Sequence, residues 1–118
     1  MSVSDGFRTF VLEQIARTTP GLRARNMFGG VGLYAGDLFF ALMDDDVLYF
    51  KVDEDSRLDY EAAGSKAFRP YADRAMTMPY YGVPIAVVES APSLVQWADR
   101  AVAAARGSKK GSRKKKRG

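Results

Sequence analysis

Cysteine and histidine are both absent from this sequence. Without cysteine there can be neither a disulfide framework nor a thiolate metal site. Without histidine the commonest general base and the commonest metal ligand are missing. No apolar run approaches the roughly 20 residues that a membrane-spanning helix needs. The opening stretch MSVSDGFRTF lacks the basic start and apolar core of a secretory signal. These absences lead to the expectation of a cytoplasmic protein with no membrane association and no cofactor.

What is present fits one domain. A chain of 118 residues can bury about two thirds of the surface its unfolded form exposes. Its net charge of +4 is unevenly spread. The segment GSKKGSRKKKRG at 107–118 holds Lys109, Lys110, Arg113, Lys114, Lys115, Lys116 and Arg117 and no acid, leaving 11 Lys plus Arg against 14 Asp plus Glu elsewhere, a net −3. The composition therefore divides the chain into a mildly acidic domain at 1–106 and a basic tail at 107–118. That tail is too charged and too poor in apolar residues to fold alone, and is expected to be disordered.

The pattern within the domain alternates between two periods. Residues 4–18 read as an amphipathic helix capped by Ser4, with Phe7, Phe10, Val11 and Ile15 on one face. Leu22 to Met27, 31–34 and 38–43 read as strands. The last of these is apolar on both faces, as in a central strand covered on each side. Ala35-Gly36-Asp37 is a turn or a bulge, and Asp44-Asp45-Asp46 a hairpin turn into a strand at Val47 to Val52. A short helix follows over 54–63, closed by Gly64. Phe68 to Tyr71 is at best an edge strand, because of Pro70. Met76 to Val83 reads as the last strand. From about Ser90 a final helix carries Leu94, Trp97, Ala98, Ala101, Val102 and Ala105 along one stripe. The order predicts an α+β fold, an antiparallel sheet with N- and C-terminal helices packed on it and a short inserted helix.

The cluster Gly29, Gly30 and Gly32 is the first candidate site, since Gly30 to Ala35 fits a loose G-x-G-x-x-G/A form. A nucleotide loop of that kind must end a strand and open a helix, whose N-terminus then holds the phosphates. Here a turn and another strand follow, and no G-K-[ST] appears. Sheet geometry is the better reading: positive φ, a bulge, or close approach of a neighbouring backbone. Asp44, Asp45 and Asp46 lack the ligand spacing of a calcium loop and read as a solvated turn. Tyr80 and Tyr81 read as one core residue and one partly exposed. Ser65-Lys66 is weak as a nucleophile and base, because adjacent side chains seldom aim at one substrate atom.

Four stretches taken together carry a resemblance: Met27-Phe28-Gly29-Gly30-x-Gly32-Leu33-Tyr34; Leu48-Tyr49-Phe50-Lys51-Val52-Asp53; Tyr80-Tyr81-Gly82-Val83-Pro84; and the helix around Trp97. In this order, from about Phe7 to Ala105, the sequence resembles the N-terminal domain of the TfoX (Sxy) competence regulators. The resemblance implies an α+β domain similar to secretion-chaperone-like folds and a link to bacterial DNA uptake. It also implies action with a transcription regulator, the cyclic-AMP receptor protein, and no catalytic residues. Full-length regulators continue into a second helical domain, where this sequence has its basic segment. The expected function is a non-enzymatic regulator or adaptor of transcription. It would bind a protein partner through the globule and nucleic acid, non-specifically, through the tail, with a homodimer possible. The alternatives are a pure protein-interaction module with a solubilising tail, and a small ligand-binding or enzymatic domain with a pocket near the Gly29–Gly32 turn.

Overall fold

The computed structural model describes residues 4–17, 19–27, 30–68 and 79–117. The elements follow in the order α1 (Asp5–Ala16), β1 (Leu22–Met27), β2 (Gly30–Ala35), β3 (Leu38–Asp44), β4 (Val47–Lys51), α2 (Glu54–Ala62), β5 (Tyr80–Gly82), α3 (Ile85–Val88) and α4 (Ala91–Arg117). The strands form one antiparallel sheet in chain order, β1-β2-β3-β4-β5. This is the α+β architecture expected from the sequence.

Turn chemistry sets the strand pairing. Gly36 turns β2 into β3 with φ of 61°. Asp45 and Asp46 adopt φ of 52° and 57°, the two-residue left-handed loop whose twist suits a tight hairpin. Aspartate tolerates this region better than most residues. The Asp46 carboxylate also accepts from the Ser4 backbone N–H at 2.7 Å, tying the start of α1 to the hairpin. Ser4 in turn caps α1, its hydroxyl accepting from the Phe7 N–H at 3.3 Å.

Strand β3 is the middle strand, and both its faces are covered. The register sets Leu33, Ala41, Phe50 and Tyr81 in one row. This row faces the main core, where Val11 and Ile15 of α1 and Leu94, Ala98 and Ala101 of α4 are buried. The next row, Gly32, Leu42, Tyr49 and Gly82, faces the other way, where Leu42, Phe68 and Tyr80 form a smaller cluster flanked by Phe39 and Tyr49. The register shifts between Leu33 and Tyr34, whose partners are Ala41 and Phe39. Phe40 is thus the extra residue of a bulge, and both Phe40 and Ala41 join the main core. The bulge lies inside the strand, while Gly36-Asp37 is a plain turn.

Helix α2 is fixed at both ends. The Ser56 N–H donates to Asp53 Oδ1 at 2.8 Å and the Asp53 N–H donates to Ser56 Oγ at 3.0 Å, a reciprocal capping box. Gly64, at φ of 82°, ends the helix, and the Ser65 N–H returns to the Tyr60 carbonyl at 3.0 Å. The donated hydrogen bonds, the Ser56 N–H first, hold the Asp53 carboxyl below its ordinary value of 3.8. A lowered folded-state pKa contributes stability that is present above the unfolded value and lost as pH falls through the folded one. Asp53→Ala should therefore cost about 1 kcal/mol at neutral pH. The gap from the parent protein should close below pH ~4. Thermal melts of both proteins from neutral to acid pH check this, and an unchanged gap at low pH would contradict it.

Several expectations are corrected in detail. Phe10, expected on the apolar face of α1, is 40% exposed. The helix places Val11 and Ile15 inward, and Phe10 lies one residue off their line. The strand expected at Met76 to Val83 is described only from 79 and pairs over Tyr80–Gly82; Phe68 to Tyr71 is described only to Phe68, where Ala67 bridges Tyr81. The short helix α3, one turn long, was not foreseen. The backbone of α4 runs to Arg117, through the segment read from sequence as a tail. Lysine and arginine favour helix, and a single glycine costs a helix only about 1 kcal/mol.

Candidate functional site

The motif residues converge on the sheet, and their roles follow from which face they occupy. Gly30 starts β2 opposite Met27, and its α-carbon lies against the backbone of β3. A Cβ built there would collide with the Met43 carbonyl oxygen and sit 3.2 Å from Met43 C and 3.3 Å from Asp44 Cα. Gly30 has no positive φ; among the described residues the positive-φ glycines are Gly21, Gly36 and Gly64. Close approach of a neighbouring strand is therefore the reason for this glycine. The segment enters a strand and not a helix, so the phosphate-loop geometry is absent. Phe28 and Gly29 lie outside the described residues.

Tyr49, Lys51 and Tyr80 share the sheet face away from α4. Tyr80 is buried, and its hydroxyl donates to the Phe39 carbonyl at 3.0 Å. Its ring lies 5.1 Å from that of Phe39, and the Lys51 ammonium stands 5.1 Å from the Tyr80 centroid. Burial pushes the Tyr80 phenol well up, helped by Tyr34, and pulls the Lys51 ammonium down. Burial also raises the Tyr49 phenol, with Asp44 and Asp45 adding to the effect. Both phenols stay protonated at neutral pH; that of Tyr80 donates a hydrogen bond, and both rings serve as packing surface.

Tyr81, on the opposite face, is half-buried; its hydroxyl donates to Glu61 Oε2 at 3.0 Å, an oxygen that also accepts from Arg57 at 2.9 Å. The Arg57 bond, then the Tyr81 bond, hold the Glu61 carboxyl below its ordinary range. Trp97 sits on α4 with its ring edge-on to Tyr60, 4.7 Å between centroids. It packs against the main core and is half-buried. Pro84 precedes α3, and its carbonyl accepts from the Val87 N–H at 2.9 Å. The motif residues thus join the sheet to α2, α3 and α4.

Asp44, Asp45 and Asp46 form the hairpin end, and among the described residues no three His, Cys, Asp or Glu side chains gather as metal ligands. The Ser65 N–H and the Lys66 carbonyl serve the backbone bonds of α2 and β5. The side chains of Lys109, Lys110, Arg113, Lys114, Lys115, Lys116 and Arg117 lie outside the described residues. One hollow of about 480 Å³ lies between Thr19, Gly36, Asp99 and Arg106, and another of about 480 Å³ between α1, the β3–β4 hairpin and α3. Neither is lined by Gly30 or Gly32.

An antiparallel meander with helices on one face and glycine, tyrosine and tryptophan at its joints defines a small α+β domain. The model of the TfoX N-terminal domain matches residues 13–105, and the chain belongs to that family. A comparison with curated proteins finds no match. The family suggests a regulatory or adaptor role and is not known for enzymes. No helix among the described residues is long and apolar enough to cross a membrane.

Proposed function

We propose that this protein is a non-enzymatic regulatory adaptor of the cytoplasm. It binds a protein partner through its globule and nucleic acid through the basic segment at the end of α4. The observation that carries this reading is the separation of charge: seven cations without an acid over 109–117, joined to a domain of net −3. The segment contains only Lys, Arg, Gly and Ser, so base stacking is unavailable. What remains is attraction to phosphates driven by counterion release, which reads no sequence. The buried α4 residues Leu94, Ala98, Ala101 and Ala105 anchor the helix from which the segment extends.

A chain ending at Arg106 keeps every core residue among those described and should stay folded by circular dichroism. It should lose most of its affinity for duplex DNA in a gel shift, and the intact chain should show little preference among sequences. Equal binding by the two forms would contradict the proposal, because an acidic globule would then have to hold the phosphates itself.

A further inference from the structure

The described residues leave four large apolar side chains exposed: Phe10, Val47, Leu58 and Ile85. Scattered singly, such residues need no explanation, but a contiguous apolar patch rimmed by polar groups marks an interaction site. Three of the four line one groove of about 480 Å³. Phe10 comes from α1, Val47 from the start of β4 and Ile85 from α3, with Val83 buried at the base. Ile85 is 73% exposed on a helix of one turn.

The ionisable residues lining the groove are Asp46 and Glu89, both acidic. Asp46 is held in place by the Ser4 N–H at 2.7 Å. No cation lines the groove among the described residues, and the domain itself is net acidic. The volume suits a few apolar side chains, and the two carboxylates favour a positive flank.

We infer that the groove between Phe10, Val47 and Ile85 is the docking surface for a partner segment that presents apolar side chains flanked by lysine or arginine. This deepens the adaptor reading and rests on it. Ile85 and Phe10 are the apolar anchors, while Asp46 and Glu89 set orientation and exclude acidic segments. The fourth exposed residue, Leu58 on α2, does not line this groove and takes no part.

The test uses the full chain and a fluorescein-labelled amphipathic peptide of leucine and lysine, with a leucine–glutamate peptide as its counterpart, read by anisotropy. The leucine–lysine peptide should bind more tightly than the acidic one. Ile85→Gln and Phe10→Gln should each weaken it about tenfold, the loss expected for a central apolar anchor. Leu58→Gln should leave it unchanged. Ile85→Gln is the decisive variant, because so exposed a side chain can be replaced without unfolding the domain.

The inference is overturned if Ile85→Gln binds like the parent, if Leu58→Gln loses as much as Ile85→Gln, or if neither peptide binds. It is also overturned if sedimentation shows a dimer that Ile85→Gln dissociates, since a second copy would then fill the groove. The chain ending at Arg106 should keep its peptide binding, so failure of this surface and failure of the DNA reading are seen separately.

Discussion

Replacing Gly30 with valine should cost the fold much of its stability. The added side chain meets main-chain atoms of β3, the Met43 carbonyl first, then Met43 C at 3.2 Å and Asp44 Cα at 3.3 Å. A flexible side chain can swing away from such a clash; a strand hydrogen-bonded on both edges cannot. Relief requires β2 and β3 to separate where Val31 pairs with Met43, inside the core. Overpacking of side chains typically costs 1 to 3 kcal/mol, occasionally more, and a backbone clash belongs at or above the upper end of that range. Gly36 makes the contrast. It has positive φ but open space where a Cβ would go, so Gly36→Ala should cost only about 1 to 2 kcal/mol. Thermal unfolding of both variants measures the order. If Gly30→Val melts at the parent temperature, or above Gly36→Ala, the close-approach account is wrong.

Phe50→Ala should have the next largest effect. Phe50 is fully buried, sits 6.3 Å from Phe40 between ring centroids, and lies in the row that faces α4. Truncating such a ring costs about 3 to 5 kcal/mol, a large share of the roughly 5 to 15 kcal/mol that holds a domain folded. Trp97→Ala should cost less than Phe50→Ala, because the indole is only half-buried and one of its contacts is the edge-on ring of Tyr60. Denaturant titration of the two variants gives both midpoints. A Trp97 variant less stable than the Phe50 variant would mean that α4 is held to the sheet mainly by that indole.

Local patterns were enough to find the elements whose causes are local. The hairpin at Asp45-Asp46, the cap at Ser4, the stop at Gly64 and the two-sided apolar run of β3 all follow from a few neighbouring residues. The α4 stripe is legible for the same reason, since Leu94, Ala98, Ala101 and Ala105 repeat at helical spacing. The capping box at Asp53 and Ser56 is equally local, an Asp followed three residues later by a serine.

What escaped depends on contacts distant in sequence. The reason for Gly30 is the backbone of β3, reached only through the sheet register. The burial of Phe40 beside Ala41 depends on a bulge that no single strand announces. α3 spans four residues, too few for any periodicity to appear. The docking groove draws Phe10, Val47 and Ile85 from three separate elements. Phe10 in particular has the spacing of an inward residue, and spacing alone cannot tell the edge of an apolar face from its centre.

In the proposed function, nucleic acid is held by the basic segment of α4 and not by the domain. The most direct test is the salt dependence of duplex DNA binding, measured in parallel for the intact chain and the chain ending at Arg106. Each phosphate neutralised contributes about −0.9 to the slope of log K against log salt, so seven cations allow at most about −6. A steep negative slope, within that limit, is expected for the intact chain, and much weaker binding with a shallow slope for the shortened one. Equal slopes for the two chains, or an intact-chain affinity indifferent to salt, would contradict it.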